Sequence, residues 1–410
     1  MNEKKSLLII SYYFPPNPIV GSRRWAKYGK VLQKNGVDVF VIVAETDSEK
    51  SPWDKDVEDL NVTYIPSHYP KILDDWSNKN LMQKIRYKVT DKWVKTKVKG
   101  MPYDRSVFWE NELLKSARTC IERNNIRNVL VSTPPHRSAY YMTKLKKEMP
   151  TLNFMVDFRD PWMWGTFREY PNISPGKKAK EEAMETEVIN QADKIIVPVE
   201  NMIDNIASHN EASKDKLYWL PPGFDEDDFI DVKVQKASNG PIKLIYYGSL
   251  YDNLDDHFNA LAKGIKLAKQ DVELDIYSNS KAYQAVFEQH QVQEKVTYHK
   301  PIPSKDVLQK VAASNYVLLF KPYEYGKDNV STKYYEIIRS RTPVILIGEA
   351  GKASEFIVFN QLGIYCPIAK TAHLVSNLLN GDITIEYNEV FDVNPYSFQA
   401  LGNQMINDLL

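Results

Sequence analysis

The sequence of 410 residues contains only two cysteines, Cys120 and Cys366. Two cysteines cannot form a disulfide framework or a cysteine-based zinc site, and their scarcity favours a reducing compartment. The opening segment, MNEKKSLLIISYYFPP, has an apolar run that is too short to span a membrane, and it lacks a small-residue cleavage site. We therefore expect a buried first strand there and a cytoplasmic protein.

Three binding motifs are also absent. No G-x-G-x-x-G follows the first strand, which argues against a dinucleotide cofactor. No Asp-x-Asp motif stands at a strand end, since Asp225, Asp227 and Asp228 lie in a linker, so no metal site is expected. The most basic segment, 71–100, lacks the interleaved glycines and aromatic platforms of an RNA-binding sheet. The sequence therefore predicts no cofactor, no metal and no nucleic-acid partner.

Apolar runs with strand character alternate with helical patterns through both halves of the chain. The runs in the first half are 7–13, 37–44, 61–66, 128–133, 153–158 and 194–199. Those in the second half are 242–250, 272–278, 295–300, 316–322 and 343–348. Continuous apolar strands separated by helices are typical of parallel sheets covered on both faces. The fold class that follows is α/β, with two Rossmann-like domains.

The length also favours two domains, of roughly 200 residues each. The segment 220–241 is rich in Pro, Gly, Asp and Ser, which indicates a linker. We predict an N-terminal domain over residues 1–222 and a C-terminal domain over residues 223–390. A final segment, 391–410, contains a predicted terminal helix.

Parallel sheets bind ligands beyond the carboxyl ends of their strands, so the segments after the strands hold the candidate site. After the first strand, Gly21 and Ser22 open a helix whose free N–H groups suit an anion, and Arg23 or Arg24 adds charge. An ordinary capped turn with surface arginines is the alternative. His136 follows a later strand and two prolines, and a lone histidine in such a place is more often structural than catalytic.

The segment FMVDFRDPWMW places Asp157, Arg159, Asp160 and Trp162 at the end of a buried strand and beyond it. Charged groups in such a place are costly to bury unless they are paired. Either a functional site or an internal Arg–Asp clamp accounts for them, and a clamp is plausible for Asp157.

In the second half, Gly248 and Ser249 follow the first strand at a predicted helix start, and His299 follows the third strand. Glu336 stands in the first turn of a predicted helix, where the helix dipole favours an acid with or without a ligand. The polar residues on the approach to Glu336 are Lys321, Lys327, Asp328, Ser331 and Lys333.

In order and spacing, several of these segments resemble the retaining glycosyltransferases of family 4, which have the GT-B fold. The opening SYYFPPNPIVGSRRWAKYGKVLQKNGVDVFVI is similar to that family's strand, glycine loop and helix. STPPHRSAYYMTKLKK followed by DFRDPW resembles a bacterial subgroup associated with capsular, exopolysaccharide or other surface-glycan synthesis. STKYYEIIRSRTPVIL is similar to the helix with the second acid of the family's Glu-x7-Glu motif. The resemblance covers nearly the whole chain, and it implies two domains that face each other across a cleft, with the terminal helix crossing back to the N-terminal domain.

The resemblance also implies a function. The C-terminal domain would bind a UDP- or GDP-linked sugar, and Glu336 would accept hydrogen bonds from both ribose hydroxyls, since a carboxylate suits a vicinal diol. The remaining donor-side candidates are Gly21, Arg24, Gly248, Ser249, His299, Lys321, Lys327, Asp328, Ser331 and Lys333. Asp160, Arg159 and His136 correspond to the acceptor-side catalytic region. The family needs no obvious protein nucleophile, because the leaving diphosphate helps to deprotonate the acceptor.

The sequence departs from the family pattern in three ways. The first acid of the pair is Asp328 rather than glutamate, Ser249 stands where an arginine is usual, and the lysine expected a few residues later is missing. Lys321, Lys327 and Lys333 are then the candidates to neutralise the diphosphate. The alternatives are a catalytically weak or inactive GT-B protein that binds nucleotide or glycan, and an epimerase of related fold, for which more acids and histidines around the cleft would be expected.

Residues 80–98 form a basic amphipathic helix in pattern. Leu81, Ile85, Val89 and Trp93 recur at steps of four, and lysines occupy flanking or opposite positions. Such a helix can lie in an anionic headgroup layer, which would suit an acceptor carried on a polyprenyl lipid at the inner face of the membrane. The other interpretation is that the apolar stripe packs on the N-terminal domain and the lysines face water.

Overall fold

A computed structural model describes residues 4–17, 20–45, 53–74, 79–164, 174–233, 240–321 and 333–410. The chain divides into two compact units. Unit 1 comprises Met1–Pro221 and Leu401–Leu410, and unit 2 comprises Pro222–Ala400.

The described strands of unit 1 are β1 (Ser6–Ser11), β2 (Asp38–Ala44), β3 (Asn61–Ile65), β4 (Asn128–Thr133), β5 (Asn153–Phe158), β6 (Lys194–Val197) and β7 (Leu217–Trp219). Its helices are α1 (Arg23–Lys34), α2 (Lys71–Asp74), α3 (Leu81–Lys97), α4 (Glu110–Asn124), α5 (Arg137–Glu148), α6 (Pro175–Gln191) and α7 (Asn201–His209). The strands lie in the order β3-β2-β1-β4-β5-β6-β7, and every pair is parallel. The buried run of β1 explains its central place, because helices cover both faces of a parallel sheet.

Unit 2 repeats this plan. Its described strands are β8 (Ile242–Tyr247), β9 (Val272–Tyr277), β10 (Val296–His299), β11 (Tyr316–Lys321), β12 (Val344–Gly348) and β13 (Gly363–Cys366). The helices are α8 (Asp255–Leu267), α9 (Gln284–Gln289), α10 (Ser304–Ala313), α11 (Lys333–Arg339), α12 (Lys352–Phe359) and α13 (Ile368–Asn380). The parallel strand order is β10-β9-β8-β11-β12-β13, so the first strand of each unit lies beside the fourth.

Alternate side chains of β8 enter two separate apolar clusters. Leu244 and Tyr246 pack in a cluster with residues of α8, α9 and α13. Ile245 and Tyr247 pack in the other, with residues of α10, α11 and α12. Because successive strand residues point to opposite faces, the continuous apolar run predicts this two-sided burial.

The last helix, α14 (Phe398–Asp408), begins in unit 2 and continues in unit 1. A Cβ at Gly402 would lie 2.6 Å from Cγ1 of Val31 on α1, so the glycine permits a close approach of the two helices. Met405 is fully buried. The side chain of Asn153, at the start of β5, donates a hydrogen bond to the carbonyl of Leu409 at 2.8 Å. The C-terminal end of the chain is therefore part of the core of unit 1.

Candidate functional site

Each sheet has a topological switch point, where neighbouring strands lead to connections that leave in opposite directions. The switch point lies between β1 and β4 in unit 1 and between β8 and β11 in unit 2. Doubly wound sheets bind ligands at the carboxyl ends of the strands at this place. The residues that follow β1, β4, β5, β8 and β11 are therefore the ones whose geometry decides the site.

In unit 2, Gly248 follows β8 and brings the backbone against a lysine. Its φ of +118° lies in the range that L side chains rarely adopt. A Cβ at this position would lie 1.5 Å from Nζ of Lys333, the first residue of α11. Only glycine fits there, and its lack of a side chain leaves room for the Lys333 ammonium group at the end of β8.

Lys333 is held in this place by the residues that precede Gly248. Its Nζ donates a hydrogen bond to the carbonyl of Tyr247 at 2.8 Å and lies 5.2 Å from the centroid of the Tyr247 ring. Burial lowers the pKa of Lys333 to about 8, while the charge of Glu336 acts in the opposite direction. The lysine is therefore largely cationic at neutral pH, in a place with little water to screen its charge.

Glu336 lies one turn after Lys333 on α11, and its side chain is partly exposed. The hydroxyl of Tyr247 donates to Oε2 of Glu336 at 3.4 Å. Burial raises the pKa of Tyr247 well above its usual range, and the Glu336 charge adds to this, so the phenol stays a neutral donor. A cation, a carboxylate and a tight glycine turn thus converge at the switch point of unit 2.

Three other donor-side candidates end or follow strands of the same sheet. Ser249 follows Gly248, and its carbonyl accepts a hydrogen bond from the Tyr246 hydroxyl at 2.6 Å. Lys321 ends β11, and its carbonyl is 2.8 Å from Nε2 of His257 on α8. His299 ends β10, two strands from β8, where its ring stacks on Tyr277 with centroids 4.5 Å apart. The predicted residues Lys327, Asp328 and Ser331 lie outside the described residues.

In unit 1, Arg159 joins three of the segments that follow strands. Its Nε donates to the carbonyl of Thr133 at 3.1 Å, and its Nη2 donates to the carbonyl of Pro134 at 2.9 Å. A Cβ at Gly21 would lie 2.1 Å from Nη1 of the same guanidinium. The segments after β1, β4 and β5 therefore meet at one arginine. A side chain at position 21 would clash with the guanidinium, which explains the glycine there.

Asp160 stands next to this arginine, and the residue as a whole is partly exposed. Burial raises the pKa of Asp160, Arg159 acts in the opposite direction, and the charge of Asp157 adds to the increase. Among the residues that the structure describes, none donates a hydrogen bond to this carboxylate. A carboxyl with a raised pKa can accept or donate a proton.

Asp157, by contrast, is an internal clamp, as one of the two sequence interpretations proposed. Trp25 Nε1 donates to Oδ2 at 2.6 Å, and Ser132 Oγ donates to the same oxygen at 2.9 Å. Arg24 Nη2 lies 3.4 Å from Oδ1 and also donates to the Leu220 carbonyl at 2.6 Å. Because Arg24 is buried among these partners, its geometry favours a structural role over the predicted contact with a donor.

His136 was predicted among the catalytic residues, but its ring is buried, with 1% of the residue exposed. The ring stacks on Trp162 with centroids 5.0 Å apart and 8° between the planes. Burial and, to a smaller extent, the positive charge of Arg159 lower the pKa of His136 to about 3. A neutral, enclosed imidazole of this kind favours a packing role.

Two glutamates on α6 were missed by the sequence reasoning. Glu181 Oε2 accepts from Trp162 Nε1 at 3.0 Å, and its other oxygen accepts from Arg137 Nη2 at 2.9 Å. Glu185 Oε2 accepts from the backbone N–H of Met163 at 2.5 Å. Both glutamates are buried and hold the segment that follows Asp160. The available signal was the spacing of four, which places both acids on one face of a helix.

Within the described ranges, no group of three or more His, Cys, Asp or Glu residues is arranged to hold a metal ion. No helix in those ranges combines the length and the apolar character that a membrane span needs.

No protein-family model matches the sequence, and no curated protein matches it. Solved structures match in fold. A glycosyltransferase from Rickettsia africae ESF-5 superposes with a TM-score of 0.62 at 13% identity, over 100% of this chain and 95% of that chain. The lipopolysaccharide outer core galactosyltransferase WaaB in its apo form gives a TM-score of 0.62 at 12% identity, over 98% of each chain. A putative UDP-N-acetylglucosamine 2-epimerase from Listeria monocytogenes gives 0.57 at 12% identity, over 98% of this chain and 95% of that chain. At such identities the likeness shows the fold alone, and that fold is GT-B, with two Rossmann-like units.

Proposed function

We propose that this protein is a retaining glycosyltransferase of family 4. It moves a sugar from a UDP- or GDP-linked donor to a glycan or lipid-linked glycan in surface-polysaccharide synthesis. The observation that carries the proposal is the group formed by Gly248, Lys333 and Glu336 at the switch point of unit 2. The solved structures of this fold described above include a glycosyltransferase and a galactosyltransferase, which supports the same reaction class.

The chemistry of this group suits a nucleoside diphosphate. The two carboxylate oxygens of Glu336 can accept hydrogen bonds from the two hydroxyls of a ribose. Nζ of Lys333 lies beside the backbone at Gly248, where a diphosphate could approach without meeting a side chain. Lys333 then supplies the positive charge that Ser249 cannot supply in place of the arginine usual in the family. No cofactor enters this proposal, because the nucleotide-sugar is itself a substrate.

In unit 1, Asp160 and Arg159 are the residues that we assign to catalysis. Arg159 is fixed by two carbonyl oxygens, so its charge has a defined position near the carboxyl end of β5. Such a preorganised charge can stabilise negative charge that develops during transfer. Asp160, with its raised pKa, orients the acceptor or takes part in proton movement. Arg24 and His136 support this region through packing.

The experiment that tests the proposal is a titration of the full chain with a panel of UDP- and GDP-linked sugars, followed by product analysis. We expect one donor to bind and to be hydrolysed slowly or transferred, with the anomeric configuration retained in the product. Binding without turnover would favour an inactive GT-B protein, and release of a free sugar epimer would favour an epimerase. Absence of binding to every nucleotide-sugar would overturn the proposal.

A further inference from the structure

Helix α3 packs on the rest of unit 1 mainly through the side that carries Tyr87 and Val94. Val94 is buried in an apolar cluster with Tyr69, Leu73 and Val98, and Tyr87 packs against the same cluster. The helix start is specified locally, since Asn80 and Gln83 form a capping box with two reciprocal hydrogen bonds of 2.9 Å. The helix is therefore anchored at its C-terminal half and capped at its exposed N-terminal end.

The opposite face of α3 carries the large apolar side chains. At about 100° per residue these side chains cover an arc of about 120°, and this arc lies away from Tyr87 and Val94. Their exposed fractions are Leu81 75%, Met82 76%, Ile85 52%, Val89 64% and Trp93 47%. The sequence left open whether this stripe packs on the N-terminal domain. In the structure most of it faces outward, while the Trp93 ring at its edge is half exposed and stacks on Phe108 with centroids 5.4 Å apart. An exposed apolar row of this size on one helix needs a partner.

Basic side chains border this apolar row on both sides. On the same helical projection, Arg86 and Lys97 lie on one side, and Lys84, Lys88 and Lys95 lie on the other. Lys92 falls at the edge of the row itself, close to Leu81. The helix contains one acid, Asp91, and it pairs with Lys95 at 2.7 Å. The surface is therefore apolar in the middle and positively charged along both borders.

We propose that α3 is a docking helix for an anionic lipid surface, with the row from Leu81 to Trp93 in the headgroup layer. A basic amphipathic helix with a tryptophan on its apolar side has the composition that binds such surfaces. The main competing occupant is a second copy of the chain. An isologous contact through this face would place the basic borders of two copies together, where like charges oppose association. Anionic lipids satisfy both parts of the surface at once.

Docking through α3 has a consequence for the sheet of unit 1. The cluster that anchors the helix includes Tyr69, which follows β3 at the carboxyl end of the sheet. Arg105 donates to the Tyr69 hydroxyl at 2.8 Å, so a charged group lies beside the anchored face. The lipid surface would then lie near the sheet end that holds Arg159. If the proposed glycosyl transfer is correct, this arrangement suits a lipid-linked acceptor, but the docking itself does not depend on that activity.

The test is flotation of the full chain with phosphatidylcholine vesicles that contain or lack phosphatidylglycerol. We expect binding to the anionic vesicles at low salt and release at high salt. Leu81→Gln/Ile85→Gln/Val89→Gln and Lys84→Gln/Lys88→Gln/Lys92→Gln should each weaken binding by about tenfold or more. The matched control is Lys177→Gln/Lys178→Gln/Lys180→Gln, which removes the same charge from α6 of the same unit and should bind nearly as wild type.

Circular dichroism and size-exclusion chromatography of every variant separate docking from misfolding and self-association. The altered side chains are exposed, apart from Lys177 of the control, which is partly exposed, so the variants should fold as wild type does. The proposal is wrong if the wild type ignores anionic vesicles at low salt, or if the α6 control loses as much binding as the α3 lysine variant. It is also wrong if the wild type is a dimer that the apolar variant converts to a monomer, since α3 would then be a protein interface.

Discussion

The two sheets share one strand order, but the polar side chains at their carboxyl ends are used differently. In unit 1, the carboxylate of Asp157 is fully buried and is surrounded by Trp25, Ser132 and Arg24. In unit 2, Glu336 is partly exposed one turn from the ammonium of Lys333. A residue's position at or after a strand therefore does not show whether it is structural or belongs to a binding site. Its exposure and its hydrogen-bond partners do.

The same difference between a buried and a partly exposed carboxylate occurs within unit 1. Asp157 and Asp160 are three residues apart, yet the first is fully buried in a clamp, whereas the second is partly exposed and has a raised pKa. Position explains this, because Asp157 still belongs to β5, which is buried on both faces, and Asp160 follows the end of that strand. The clamp fixes the strand end, and the segment after it carries Arg159 and Asp160.

The largest effect that we expect is on stability, from Asp157→Ala. The change leaves the guanidinium of Arg24 buried without its counter-charge, which should lower the free energy of unfolding by about 3–5 kcal/mol. Urea unfolding of the full chain, followed by tryptophan fluorescence, measures this. Glu58→Ala, which alters an exposed acid of the same unit, is the control and should have little effect.

If Asp157→Ala does not accumulate as folded protein, Asp157→Asn keeps the shape of the side chain and should show a smaller loss in the same direction. Unfolding of both variants at the wild-type urea concentration would contradict the framework role. The comparison between the two units would then lose its basis.

Much of the fold was predictable from the sequence. Every apolar run predicted as a strand forms one, because continuous burial in a parallel sheet leaves a clear pattern. The strands that were not predicted, β7 (Leu217–Trp219) and β13 (Gly363–Cys366), are short and lie at sheet edges. Few of their side chains are buried, so they lack the continuous apolar run.

The candidate site was predictable only in part. The rule that ligands bind after strands directed attention to Gly21, Arg159, Gly248 and Lys333, and the structure brings these residues together in two pairs. The same rule could not show that Arg24 has a structural role and is not a site residue. The α1 side chains that surround Asp157 are far from it in sequence, with Trp25 at a separation of 132 residues, so only the tertiary structure reveals the clamp. Burial of His136 against Trp162 was hidden for the same reason.

The second largest effect should appear in catalysis, from Asp160→Asn. If the carboxyl takes part in proton movement, the variant should reduce turnover by about 10²-fold or more. The KM for the donor should change little, because the interaction is made near the transition state. Steady-state kinetics with the donor identified by titration measures both quantities. Asp204→Asn on α7 is the matched control, and equal turnover in Asp160→Asn would make Asp160 a structural residue like Asp157.

Glu336→Ala tests the open site in unit 2. We expect donor binding to weaken by about 1.5–3 kcal/mol, or roughly 10- to 100-fold, the range of hydrogen bonds to a charged group. The loss should disappear for a donor whose ribose lacks both hydroxyls, since that ligand never used the carboxylate. Isothermal titration calorimetry of both donors against the wild type and Glu336→Ala measures the four affinities that this comparison needs. Glu355→Ala, an exposed acid on α12, should bind as wild type. Unchanged binding in Glu336→Ala would contradict the ribose role.

The smallest effect should be a pH dependence that originates in Lys333. Its pKa of about 8 is lower than that of a free lysine because the side chain is buried, so its charge is present below pH 8 and is lost as the pH rises through that value. If this ammonium neutralises the diphosphate, affinity for a nucleotide-sugar should fall by up to about tenfold between pH 7 and pH 9. The matching nucleoside, which lacks the diphosphate, reports any ionisation of the base over the same range. Lys333→Arg retains its charge at pH 9 and should bind with a flat profile. An equal decline for nucleotide-sugar and nucleoside would show that the charge of Lys333 does not face the diphosphate.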